Sequence, residues 1–351
     1  MKIEIPIVRR LKNSNGNPGD IFIAEGLEYI FEKINEINWI YLDKFNQKDF
    51  TENLKKIKVD TIFIGGTPQY NNYDYWKFWY DKELWEIAEK EKLKVVAIAG
   101  GSGYPDPRMS PEEFSSDCLS SETTKNILSL RKKQGVDFTT RDPHSHKLLN
   151  DFGIRNILLP CTASWVFKKH KNLIEPTEDY FVLTPSNWTA IPSKYFKDCN
   201  NKEKESFEYY KSIYDEMEKR CLKTLICFHS EKEYNYYKKF LPKEKLFYTK
   251  SWKELLAFYS KSKGIITGRL HGAIPFLGLD NRKCHLIAVD TRYSATEFFA
   301  SITKSVYSDS PKYIVEQFIS GPLTRVQDLD EYEKIYLKIV KKCFENIGQR
   351  K

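Results

Sequence analysis

The sequence predicts an α/β protein of two Rossmann-like units whose parallel sheets face a central cleft. The chain has 351 residues, enough for two domains at about 100–200 residues each. Short apolar runs alternate with longer amphipathic stretches, the pattern of βα units. The alternation lapses once, from Lys168 to Asp179, in polar, Pro-containing sequence, and then restarts. The expected units are therefore 1–172 and 176–320, with a terminal helix at 326–351 joining the first unit.

Ile3 to Val8 is β-branched and reads as the first strand. A polar Gly-Asn loop follows, from Asn13 to Asp20. A helix is expected from Ile21 to about Glu36, with Asp20 as its N-cap. Trp39 to Leu42, Thr61 to Ile64 and Val95 to Ala99 are short apolar runs and read as strands. A charged aromatic helix lies between the last two, about Tyr73 to Lys92. The cluster Tyr70, Tyr73, Tyr75, Trp76, Phe78, Trp79 and Tyr80 reads as packing at helical spacing. Helices at Glu122–Gln134 and His144–Phe152 alternate with strands at Asp137–Thr140 and Asn156–Leu159. Gly65-Gly66 and Gly100-Gly101 follow strands, on the side where parallel sheets bind ligands.

In the second unit, strands are expected at Tyr180–Leu183, Leu222–Phe228, Leu246–Tyr248, Gly264–Thr267 and His285–Val289. Helices are expected at about Lys202–Arg220, Glu231–Phe240 and Trp252–Lys261, and one opens near His271. His229 and Ser230 end their strand on the cleft side. Asp328 to Asn346 carries Tyr332, Ile335, Leu337, Ile339 and Val340 and reads as an amphipathic helix.

Hydrophobic residues at 41% and aromatics at 15% are enough to fill large cores, which excludes intrinsic disorder. Lys and Arg exceed Asp and Glu by 56 to 48, a net charge of +8. The lysines alternate with acids, as in Glu89 to Lys92, and form solvated helix faces instead of the basic stripe that nucleic acid requires. Seven cysteines without a Cys-x-x-Cys motif read as reduced thiols of a cytoplasmic protein, with no metal site. No apolar run approaches the ~20 residues of a membrane span, and Met1 to Ile5 is not a signal peptide. Neither unit carries a dinucleotide fingerprint, P-loop, His-Glu-x-x-His or Gly-x-Ser-x-Gly motif.

The most informative segment runs from Gly264 to Gly278: a buried strand, a turn, then a helix of small residues. Arg269 and His271 sit at the turn, where an extended backbone points alternate residues into the crevice. Gly268, Gly272 and Ala273 clear space around them. Arg offers a fork for carboxylate or phosphate, and His offers a proton near neutral pH. The helix start adds free N–H groups. Such a set suits an anion that undergoes proton transfer.

This segment resembles the Arg-x-His-Gly element of the polysaccharide pyruvyl transferase family. Other elements agree in order. Asn17-Pro18-Gly19-Asp20 is similar to the family's Asn-x-Gly-Asp element. Arg141-Asp142-Pro143-His144-Ser145 resembles its Arg-Asp/Glu-x-x-Ser helix start, and Asp290-Thr291-Arg292 its Asp-x-Arg element. The likeness spans most of residues 1–300.

The resemblance implies a GT-B-like fold with phosphoenolpyruvate bound by the second unit and an acceptor sugar by the first. It implies transfer of a pyruvyl ketal to a polysaccharide or glycolipid precursor, with no metal or redox cofactor. His271 would be the acid/base, Arg269 the catalytic anion anchor and Arg292 a second anchor. Substrate contacts would come from Asn17, Asp20, Gly66, Gly101, Arg141, Ser186, Asn187, His229, Ser230, Gly268 and Gly272. Family enzymes often place an Arg after the first strand of the second domain; here Thr184-Pro185-Ser186-Asn187-Trp188 stands there, so Arg292 or Arg282 would compensate. Two rival functions remain open: a nucleotide-sugar glycosyltransferase, with Trp188 stacking on a base, and a non-catalytic glycan- or anion-binding protein. The expected partners are small-molecule donor and carbohydrate acceptor, with peripheral contact to lipid-linked sugars and an oligomer both compatible with the sequence, and nucleic acid and membrane spans excluded.

Overall fold

A computed structural model describes residues 3–8, 17–34, 37–42, 52, 61–66, 68–74, 79–103, 106–134 and 138–348. The first half contains β1 (Ile3–Val8), α1 (Pro18–Glu32), β2 (Ile37–Leu42), β3 (Thr61–Gly65), β4 (Pro68–Tyr70), α2 (Trp79–Lys90) and β5 (Lys94–Ile98). It continues through β6 (Gly101–Ser102), α3 (Pro111–Ser120), α4 (Glu122–Lys133), β7 (Phe138–Thr140), α5 (Pro143–Asp151) and β8 (Asn156–Leu158). Four strands form a parallel sheet in the order β2-β1-β3-β5, flanked by the pairs β4-β6 and β7-β8.

The second half holds β9 (Phe181–Thr184), α6 (Lys202–Lys219), β10 (Thr224–Phe228), α7 (Glu231–Tyr237), β11 (Leu246–Tyr248) and α8 (Trp252–Lys261). Then come β12 (Gly264–Thr267), α9 (Leu270–Ala273), β13 (Lys283–Ala288), β14 (Ile302–Val306), α10 (Pro311–Ser320) and α11 (Asp330–Gly348). Its six parallel strands run β11-β10-β9-β12-β13-β14. Order reverses between β9 and β12, the switch point at which such sheets open a ligand crevice.

A hydrophobic cluster links the halves: Phe22, Leu27 and Phe31 of α1 share it with Trp165, Val182, Ile265 and Phe276. Helix α11 packs back onto the first half, where the Tyr336 hydroxyl donates to the Pro160 carbonyl at 2.7 Å and Lys168 pairs with Glu333 at 2.9 Å. On the opposite side, the Ser102 and Thr291 hydroxyls meet at 3.1 Å and His144 Nδ1 meets the Ser294 hydroxyl at 3.0 Å.

The structure corrects one expectation and adds elements the sequence does not announce. Helix α1 starts at Pro18, so its N-cap is Asn17, whose Oδ1 accepts from Gly19 N at 3.2 Å, and Asp20 lies in the first turn. Pro at the first helical position needs no partner for a missing N–H, which favours this earlier start. Helix α3 and strand β14 were not expected at all. Of the aromatic cluster, Tyr70 and Tyr73 are buried beside Arg131, Tyr75, Trp76 and Phe78 lie outside the described residues, and the side chains of Trp79 and Tyr80 are not described.

Strand β14 was hidden because its inward side is polar. His285 on β13 is wholly buried, and its Nδ1 and Nε2 meet Thr303 Oγ1 at 2.8 Å and Ser305 Oγ at 2.9 Å. Burial pushes its pKa down from 6.5 to about 3. Between those values the unfolded chain binds a proton that the fold refuses, so stability falls as pH drops below 6.5. Going from about pH 7 to about pH 5 is expected to cost about 2 kcal/mol through this group. Urea unfolding at both pH values should show that share missing in His285→Gln; equal pH slopes would refute it.

Candidate active site

A cavity of about 220 Å³ opens beyond the carboxyl ends of β10, β12 and β13. Eight of the residues singled out from sequence line it: Asn17, Ser186, Asn187, His229, Gly268, Arg269, His271 and Arg292. The other wall includes Asp290 and Tyr293, which follow β13.

The turn after β12 is built by short-range bonds. All four residues of β12 are buried. Gly268 N then donates to the Thr184 carbonyl at 2.9 Å, and Arg269 N donates to Thr267 Oγ1 at 2.9 Å. Arg269 keeps extended backbone (φ −115°, ψ 123°), and the chain turns helical at Leu270. Consequently the two side chains part. Arg269 reaches into the second half, where its Nε donates to the Pro185 carbonyl at 2.9 Å and its Nη2 donates to Glu233 Oε2 at 2.6 Å. Burial raises the Glu233 carboxyl pKa, and the Arg269 cation works against that.

Arg269 lines the cavity while paired with Glu233. Its charge is already matched by a carboxylate that is 1% exposed.

His271 points the other way. Its Nε2 lies 3.7 Å from Cys161 Sγ, and its ring presses on Gly19 in the first turn of α1. A Cβ built on Gly19 would sit 2.7 Å from His271 Nδ1. Helix α9 has four residues, so the fifteen-residue α1 presents the stronger positive helix end to this imidazole. Burial, then Arg141 and Arg292, hold the His271 pKa well below the ordinary imidazole range. These surroundings favour the neutral ring.

Arg141, expected from the sequence to contact substrate, does not line the described cavity and sits behind His271. It is wholly buried, and its Nη1 donates to the Gly66 carbonyl at 3.2 Å and lies 3.9 Å from Cys161 Sγ. Its Nε and Nη2 have no hydrogen-bond partner. The neighbouring Asp142 is spent on backbone, accepting from Ser102 N and Ser145 N at 2.8 Å each. Gly101 admits the guanidinium: a Cβ there would be 2.2 Å from Arg141 Nε. Gly66 and Gly101 thus hold Arg141 and do not themselves line the described cavity.

Arg292 is half-exposed and bound through Nε to Asp290 Oδ2 at 2.8 Å. Asp290 and, more weakly, Asp20 sustain its charge; burial opposes them. Asp20, Ser230 and Gly272 do not line the cavity; Gly272 faces the Thr267 side chain. Arg282 does not either: its Nη2 donates to Thr177 and to the Ser260 carbonyl. Glu233 and Cys161 were missed, since neither lies in a recognisable motif. No group of three potential metal ligands occurs among the described residues, and no described helix is long and apolar enough to cross a membrane.

A sequence model of the polysaccharide pyruvyl transferase family matches residues 17–279. The chain belongs to this family and is a transferase. No curated protein sequence matches it. Among solved structures it is similar to the UDP-GlcNAc 2-epimerase of Methanocaldococcus jannaschii in complex with UDP-GlcNAc and UDP, at 15% identity and TM-score 0.54, over 97% of this chain and 100% of that one. It is also similar to the S. aureus MnaA–UDP complex, at 9% identity and TM-score 0.57, over 95% of each chain. A third similar structure is the α,α-trehalose-phosphate synthase of Burkholderia xenovorans, at 7% identity and TM-score 0.51, over 98% of this chain and 100% of that one. At such identities the likeness is one of fold, and the fold is GT-B.

Removing the Glu233 charge should expose the buried Arg269 cation. Glu233→Gln is expected to lower unfolding stability by about 3 kcal/mol in urea. Unchanged stability would mean that Arg269 carries no matched charge.

Proposed function

We propose that this family member transfers the pyruvyl group of phosphoenolpyruvate, as a ketal, to two hydroxyls of a sugar in a polysaccharide or glycolipid precursor. The observation that carries this reading is one cavity lined by both His271 and Arg292, in which burial, Arg141 and Arg292 lower the imidazole's proton affinity. Phosphoenolpyruvate brings a carboxylate and a phosphate. Its arrival would offset both cations, and His271 would gain the proton they now repel.

The chemistry then follows from charge. Protonated His271 gives its proton to the methylene carbon of the enol. The adjacent carbon becomes oxocarbenium-like and is attacked by a sugar hydroxyl. Phosphate leaves, and a second hydroxyl closes the ketal. Arg292, at the cavity, and Arg141, behind His271, stabilise the anionic groups throughout. Arg269 contributes from its fixed pairing with Glu233 by shaping the cavity wall.

Phosphate release should require both phosphoenolpyruvate and an acceptor glycan. His271→Ala is expected to lower kcat about 1,000-fold. Gly19→Ala should drive a methyl group to 2.7 Å from both Cβ and Nδ1 of His271, so activity and melting temperature should both fall. Full activity in His271→Ala would overturn the assignment. Thermal stabilisation by a nucleoside diphosphate but not by phosphoenolpyruvate would instead support nucleotide-sugar transfer.

A further inference from the structure

The cavity holds a second imidazole. His229 follows β10, and its Nε2 lies 2.6 Å from the Tyr259 hydroxyl on α8. Tyr259 Oη is 3.5 Å from Thr184 Oγ1, deeper in the core. His229 Nδ1 is buried with no partner in a residue that lines the cavity. A buried N–H without an acceptor is costlier than a bare lone pair without a donor. The proton therefore belongs on Nε2, donated to Tyr259, and the Nδ1 lone pair is left without a partner in a residue that lines the cavity. The titratable and charged groups around it are Tyr259, His271 and Arg269 with its partner Glu233. Burial, then Arg269 and His271, keep this ring neutral as well.

We propose that His229 is the base that takes the proton of the first attacking sugar hydroxyl, through Nδ1. The proposal rests on pyruvyl transfer as read above. It solves a proton problem in that reaction. Two hydroxyl protons must leave the acceptor, one must reach the enol carbon, and one must leave with phosphate.

With two imidazoles the balance closes. Protonated His271 gives its proton to the enol carbon while the first hydroxyl oxygen bonds to the neighbouring carbon and loses its proton to His229. His229 passes that proton to the departing phosphate as the carbon–oxygen bond to phosphorus breaks. The second hydroxyl then closes the ketal and returns its proton to His271. Both rings end as they began, and no oxidant or further reactant is needed.

The experiment uses the full chain, phosphoenolpyruvate and a panel of acceptor glycans. His229→Gln, which retains an amide near Tyr259, should lower kcat for phosphate release at least about 100-fold. Its KM for phosphoenolpyruvate should stay close to wild type. The acid limb of the pH profile should flatten, because that limb reports a base that must be neutral. Added imidazole should restore part of the rate. Nitrogen-15 spectra of the wild type should show Nδ1 of His229 unprotonated and Nε2 protonated, and Tyr259→Phe should perturb Nε2.

A wild-type kcat in His229→Gln, a raised KM with kcat intact, or a proton on Nδ1 would overturn the proposal and leave the transfer reading standing. A wild type that releases no phosphate with any acceptor would overturn the transfer reading, and this role with it.

Discussion

The close contact between helix α1 and the Thr162–Trp165 turn sets the rest of the architecture. A Cβ on Gly26 would lie 1.8 Å from the Thr162 carbonyl oxygen, so helix and turn touch backbone to backbone. The Thr162 hydroxyl locks the register by donating to the Ile23 carbonyl at 2.9 Å. Around this contact Phe22, Leu27 and Phe31 are buried in the cluster that also holds strand residues of the second sheet. Because α1 is rigid, fixing its middle fixes its first turn, and that turn bears on His271. Because Cys161 precedes Thr162, the same contact sets the thiol below the imidazole. One packing constraint therefore joins the two halves and places the His271 ring.

Electrostatics divides the three arginines near the cavity. Arg269 has a buried carboxylate for its charge, and Arg292 shares its own with Asp290. Arg141 has only a carbonyl and a distant thiol, with two guanidinium nitrogens left over. A buried cation so poorly matched is expensive. It persists because Gly101 and Gly66 shape a slot around it and because the surrounding fold is stable enough to hold it. The unmatched charge acts on His271, lowering its proton affinity.

The βα order, the parallel sheets and the Arg269–His271 turn were legible because each rests on local pattern: apolar runs, glycines, a short motif. What escaped depends on partners remote in sequence. Glu233 looks like one more surface acid of a charged helix until Arg269 reaches it. Strand β14 looks polar because Thr303 and Ser305 serve His285. Arg141 reads from the sequence as a substrate contact at a helix start, and only the folded chain shows it wholly buried with no carboxylate paired to it among the described residues. Helix α3 is different. Ser110 and Glu113 form a reciprocal capping box with Pro111 between them, a signal present in the sequence and passed over among polar neighbours.

On the proposed reading, the low proton affinity of His271 is part of how the site works. An imidazole protonated at rest would repel nothing anionic, but it would also sit ready to protonate any passing nucleophile. Held neutral by burial and nearby arginines, His271 becomes an acid only when an anion offsets those cations. The substrate then supplies the electrostatic change that arms the residue acting on it. His229, buried and likewise neutral, needs no such arming to serve as a base. Two rings with the same resting state thus diverge on binding, because the arginine nearest His229 is already matched by Glu233 while the pair nearest His271 includes the uncompensated Arg141.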